Sequence, residues 1–223
     1  MAHVGGQLPT SDVDHTYTST GINHRKLLMW VFLGSDCLFF GSLIATYMVY
    51  RGQSLVGPYP IDIIDIPITT ISTFVLLCSS FAMVQALAAT NKNDQKGIRL
   101  WLFATAFMGA IFIGFQVYEF NMFRLEGLFV WTNLFGSTFF TLTGFHGAHV
   151  SLGIVWLLVL FFLALKGKVG PHNALDVELC GLYWHFVDIV WIVIFTLLYL
   201  VGGFDAGPVA SVLTEPSFMS LLA

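Results

Sequence analysis

Five apolar stretches separated by short polar connections organise this sequence: residues 27–50, 67–90, 99–121, 131–165 and 181–203. A helix that crosses the hydrocarbon core of a bilayer needs about 20 apolar residues, and all five qualify. The fourth is too long for one straight span. Residues 127–165 hold no acidic or basic side chain apart from two histidines, and the middle of the run, TLTGFHGAHV, has no polar turn able to reach water. One long tilted helix preceded by a surface segment is therefore expected, not two short ones. The connection 51–66 carries Asp62, Asp65 and two prolines, which stop a helix and suit a tight re-entry. The fold class that follows is all-α, a polytopic membrane helix bundle with five transmembrane helices. Residues 1–22 are polar, with no apolar core and no small-residue cleavage site, and read as a flexible polar N-terminal tail. Residues 23–203 form the transmembrane domain and 204–223 an external C-terminal tail.

Composition agrees with this solvent. Hydrophobic residues make up 57% and charged residues 10% of the chain, with a mean hydropathy of +0.80. Globular proteins carry about a quarter charged residues. The net charge of -4 comes with scattered basic residues, so no nucleic-acid patch forms and no nucleic-acid partner is expected. The placement of the basic residues is more informative. With five spans, Arg25, Lys26, Lys92, Lys96, Arg99, Lys166 and Lys168 fall on one side and only Arg51 and Arg124 on the other. The positive-inside rule then makes the N-terminus cytoplasmic and the C-terminus external. Splitting the fourth stretch would weaken this bias.

Lesser signals complete the outline. Cys37, Cys78 and Cys180 lie in or beside apolar segments without CxxC spacing and read as small buried hydrophobes. Ala106, Ala110 and Gly114 repeat every four residues, as do Gly41 with Ala45 and Gly144 with Ala148, a spacing that allows close helix approach. Trp30, Trp101, Trp131, Tyr50 and Tyr199 fall near span ends, as an aromatic belt requires. No internal repeat is evident, which argues against the usual transporter architectures.

Chemistry concentrates in six intramembrane ionisable residues: Asp36, Glu119, His146, His149, His185 and Asp188. Such groups are costly in hydrocarbon and mark a site by default. His146 and His149 are three residues apart, as are His185 and Asp188, so the members of each pair share a helix face. Three readings stand side by side. The pairs could ligate a metal, although membrane di-iron sites need more histidines and His3, His15, His24 and His172 lie outside the spans. They could form a proton relay. They could satisfy one another across helices, or hold a lipid headgroup in a cleft. Asp36 stands about ten residues into the first span. Glu119 lies near the end of the third, where the interface is expected to solvate it.

These residues also carry a family resemblance. GSTFFTLTGFHGAHV at 136–150 closely resembles the long-helix motif of subunit III of heme-copper terminal oxidases, and YWHFVDIVW at 183–191 resembles its last-helix motif. SDCLFF at 35–40 resembles the helix in which many members carry a buried carbodiimide-reactive carboxylate, with Asp36 where mitochondrial-type members have Glu. YEF at 118–120 fits the preceding helix. The similarity runs over about residues 23–203, to the five-helix bacterial form.

The resemblance implies a multi-pass protein of the bacterial inner (plasma) membrane. It implies an accessory subunit of an oxidoreductase, without a catalytic residue or a metal of its own, whose heme and copper reside in partner subunits I and II. A fourth subunit is a further partner. It implies bound phospholipid in a cleft between helices, with support for proton uptake and sustained turnover by subunit I. On this reading Asp36, His146, His149, His185 and Asp188 are cleft and helix-contact residues, and Lys166 and His172 face lipid phosphate. Cytochrome c is the expected electron donor, and ubiquinol the alternative. An independent membrane metalloenzyme and a solute transporter remain as different classes, open to metal analysis and flux measurements respectively.

Overall fold

The structure, a computed structural model, describes residues 23–54 and 57–202. Both predicted tails, 1–22 and 204–223, lie outside the described residues. All the regular elements described are helical: α1 (His24–Tyr50), α2 (Pro60–Ile63), α3 (Ile66–Asn91), α4 (Gln95–Leu125), α5 (Leu134–Leu165) and α6 (Ala174–Ile194). A 3-10 turn, Pro171–Asn173, leads into α6, and a π-helical segment, Phe195–Val201, continues it. Five of these elements are long and apolar enough to cross a membrane: α1, α3, α4, α5 and Pro171–Val201, which contains α6.

Side-chain caps fix where the long helices begin. Asn23, Asp65, Asp94 and Asn133 accept hydrogen bonds from the amides of Arg25, Ile68, Lys96 and Gly136. Each satisfies one of the backbone donors that a helix leaves open. Just beyond the ends of α4 and α5 the chain turns through Gly127 and Gly167 at φ 85° and 67°, a left-handed conformation that glycine adopts without penalty. The run 131–165 is indeed one helix, preceded by a turn. At 1.5 Å per residue α5 is about 48 Å long, so it must tilt to fit a hydrocarbon layer of about 30 Å.

The bundle is layered around α6. Helices α3 and α4 pack as an antiparallel pair, α5 lies against α4, and α6 contacts α3 and α5. Helix α1 stands at the edge, mainly against α5 and α6. It buries only Leu33, Phe40 and Tyr47, a single stripe at seven-residue spacing, and leaves Trp30, Phe32, Leu38 and Phe39 exposed. The last span starts well before residue 181. Its first turns hold Asp176 and Glu178, which pair with Arg25 and Lys26 at the start of α1. Those charges made the segment look like a loop in sequence, yet they lie at the end of the bundle. At the same end Arg99 Nε donates to Ala164 O at 3.1 Å and Gln95 Nε2 to Val169 O at 2.8 Å. The predicted set of seven basic residues therefore shares one end of the bundle.

The two ion pairs are solvent-reaching, with Arg25 62% exposed. Exposed pairs contribute about 0–1 kcal/mol each and are screened by salt. Replacing Arg25 and Lys26 together by Gln is expected to lower the thermal midpoint of the subunit slightly at low ionic strength and not measurably at high salt. A large loss that persists in salt would show instead that the pairs are structural anchors.

Several sequence expectations change. The close helix approaches are made by Gly109, Gly147 and Gly153, whereas a β-carbon at Gly41, Gly114 or Gly144 would meet nothing within 4 Å. Four-residue spacing alone cannot say which face a small residue occupies. Cys180 is buried, but Cys37 is exposed and Cys78 partly so, because their faces point out of the bundle. Trp30, Trp131 and Tyr50 are exposed as a belt requires, but Tyr199 is fully buried. The π-helical segment turns its ring inward against Trp191, Phe139 and Phe195.

Candidate functional site

The predicted histidine pairs do not both act as pairs. On α5 the two rings diverge. His149 turns towards α1, where Asp36 Oδ2 faces its Nε2 at 3.7 Å. His149 Nδ1 stands 2.7 Å from Phe145 O, and a carbonyl only accepts, so Nδ1 carries the hydrogen. Tyr183 Oη of α6 donates to His149 O at 2.9 Å. Phe39 and Phe40 of α1 close over the imidazole, with Phe40 edge-on at 5.0 Å. The meeting of α1, α5 and α6 is thus a small polar seam within an aromatic wall, and Asp36 Oδ2 has no hydrogen-bond partner among the described residues.

His146 goes the other way and is 0% exposed. Its Nε2 donates to Val187 O at 3.3 Å, and its ring stacks on Trp191 at 4.8 Å and meets Phe112 edge-on at 5.9 Å. It fastens α5 to α6 as a packed core ring. A residue three positions on from another is offset around the helix by about 60°, enough at a three-helix junction to face a different neighbour. The expectation that His146 and His149 share one face is corrected accordingly.

The second pair faces one serine, but only His185 bonds to it. Ser80 Oγ of α3 lies 2.6 Å from His185 Nδ1, and the 3%-exposed Asp188 carboxylate lies beside the same serine without a hydrogen bond of good geometry. Lys166 and His172 are exposed, at the C-cap of α5 and in the following 3-10 turn, at the basic end of the bundle.

Glu119 departs most from its sequence reading. It is not solvated at an interface but 9% exposed inside the bundle. Thr69 Oγ1 of α3 donates to its Oε1 at 2.8 Å, and Tyr199 Oη donates to its Oε2 at 2.9 Å. Sequence reasoning missed these two partners and the amide of Gln116, one turn earlier on α4, which donates to Thr143 O at 2.8 Å. Gly147 makes room for that amide: a β-carbon there would stand 2.8 Å from Gln116 Oε1. Gly147→Ala is therefore expected to displace the Gln116 side chain and cost about 1–3 kcal/mol, as small-to-large changes in packed interiors do. Unfolding of the detergent-solubilised protein measures it, and a neutral result would place Gln116 elsewhere.

No group of three or more His, Cys, Asp or Glu side chains converges on a metal-sized site among the described residues. The arrangement offers hydrogen bonding and proton acceptance within the membrane, with the polar groups dispersed over three separate contacts.

Comparison with known proteins places this architecture. The family described as Cytochrome c oxidase subunit III matches residues 12–203. Cytochrome c oxidase subunit 3 of Bacillus sp. (strain PS3) is 39% identical over 179 residues, covering 80% of this chain and 86% of that protein. The protein of the same name from Alkalihalophilus pseudofirmus is 38% identical over 180 residues, covering 80% and 87%. A probable quinol oxidase subunit 3 of Staphylococcus saprophyticus is 38% identical over 181 residues, covering 81% and 90%. Five apolar spans, dispersed polar contacts and a match across nearly the whole bundle agree: this chain belongs to the cytochrome c oxidase subunit III family.

Proposed function

We propose that this subunit III of a bacterial heme-copper oxidase works in a cytochrome c oxidase, holding phospholipid at the seam of α1, α5 and α6 and sustaining proton uptake by subunit I. One observation carries this reading. Helix α1 buries a single stripe of three residues and is held to the bundle by polar contacts: Arg25–Asp176, Lys26–Glu178, Asp36 beside His149, and Arg51 donating to Val201 O at 2.7 Å. Its remaining faces are apolar and exposed. A helix with so little apolar surface buried presents its other faces to acyl chains, and Asp36 with His149 supplies a polar point beside them. Lys166 and His172, exposed at the basic end, pair with lipid phosphate in this reading.

In this reading the chain lies in the inner membrane with its basic end cytoplasmic, as the positive-inside rule requires. It binds no heme or copper, which belong to subunits I and II, and a fourth subunit is a further neighbour. His146 fastens α5 to α6 and His185 fastens α6 to α3, with Asp188 beside the latter contact. Ubiquinol is the second reading for the donor, favoured by a relative of 38% identity that carries the name probable quinol oxidase subunit 3. Donor assays on the purified complex decide between them: oxidation of quinol but not of cytochrome c overturns the first choice.

A further inference from the structure

We propose that Glu119 is a reversible proton-exchange site that opens at the end of the bundle carrying the 51–65 connection, separate from the Asp36 seam. The geometry around it satisfies both charge states. Thr69 Oγ1 has one hydrogen and two acceptors within reach, Glu119 Oε1 at 2.8 Å and Asp65 O at 3.0 Å. When Glu119 is ionised, the threonine hydrogen points to Oε1 and Tyr199 donates to Oε2 at 2.9 Å. When a proton adds to Oε1, that O–H donates to Thr69 Oγ1 and the threonine hydrogen swings to Asp65 O. The Tyr199 bond is unchanged, no heavy atom moves, and the site goes from one negative charge to none. A hydroxyl accepts as readily as it donates, so neither state leaves a buried polar atom unpaired.

A route for the proton is present. A pocket of about 430 Å³ reaches Glu119, with Asp65 and Glu126 among its lining residues and Tyr118, Met122 and Ile66 on its walls. Both carboxylates at its mouth attract hydronium and can pass a proton inward. The groups facing Glu119 are Asp65 and Thr69 from the start of α3, Tyr199 from the π-helical segment, and Glu126 and Gln116 from α4, with Tyr47 of α1 behind Tyr199. No basic side chain lines the pocket among the described residues, so no fixed cation locks Glu119 in its charged form. The π-helical segment that brings Tyr199 to the carboxylate is a deformation often found at functional positions.

Infrared titration of the intact oxidase complex in lipid tests this. As pH falls, a C=O band of a neutral carboxylic acid is expected to appear while a carboxylate band declines, and to shift in D2O because the proton exchanges with solvent. Glu119→Gln, which keeps the size and a hydrogen-bonding end, is expected to remove this titrating band, while Asp36→Asn and Asp188→Asn retain it. Thr69→Val should move its midpoint and Thr69→Ser should restore it. If Glu119→Gln does not assemble, Tyr199→Phe identifies the band by its change in frequency. A complex with no titrating band that responds to Glu119, Thr69 or Tyr199 overturns the proposal.

Discussion

Trp184→Ala is expected to release this subunit from any stable fold, at a cost of about 3–5 kcal/mol. The indole is the keystone of four helices. It projects from α6 between Gly109 of α4 and Gly153 of α5, where an added β-carbon would stand 2.6 Å and 2.8 Å from its ring atoms. Its Nε1 donates to Ser79 Oγ of α3 at 2.9 Å. Truncation opens a cavity that two helix backbones cannot collapse to fill. It costs the serine comparatively little, since that hydroxyl still donates to Leu76 O at 2.6 Å. Trp184→Phe should keep most of the packing and lose about 1 kcal/mol with the hydrogen bond. Native electrophoresis after graded heating reads both. Equal retention of the alanine and wild-type subunits in the complex would show that Trp184 is not the keystone.

The second large effect is functional. Asp36→Ala is expected to leave the heme content of the oxidase intact while reducing co-purified phospholipid and shortening turnover lifetime several-fold. The carboxylate sits on the least buried span and meets His149 where α1, α5 and α6 converge. Removing it takes a polar contact from a helix with little apolar burial to replace it. Lipid analysis by mass spectrometry and activity followed over many turnovers measure the two outcomes. Loss of heme would indicate a redox role for this chain, and unchanged lifetime would remove Asp36 from the account of turnover.

Sequence and structure meet unevenly. The five spans, the single long α5 and the gathering of basic residues at one end follow from hydropathy and charge, because a bilayer constrains helix length and side-chain depth directly. What each polar residue touches is not written in a single sequence. His146 and His149 have the same spacing as His185 and Asp188, yet only the latter pair turns towards one helix, where His185 alone bonds Ser80. The outcome depends on which neighbouring helix each face meets. Glu119 looked solvated because it is near a helix end, but Thr69 and the π-turned Tyr199 enclose it. A π-helical segment leaves no mark in hydropathy. The functional glycines were also hidden: Gly109 and Gly153 are legible as indole sockets only once Trp184 is seen between them.

In the proposed role this chain is an accessory subunit that holds lipid, while heme and copper reside in its partner subunits. Native mass spectrometry of the complex, coupled to its optical spectrum and metal content before and after release of this chain, tests it most directly. The chain is expected to leave with phospholipid while all heme and copper stay with the remaining subunits, whose spectrum is unchanged. Heme, copper or iron departing in stoichiometric amount with this chain would contradict it.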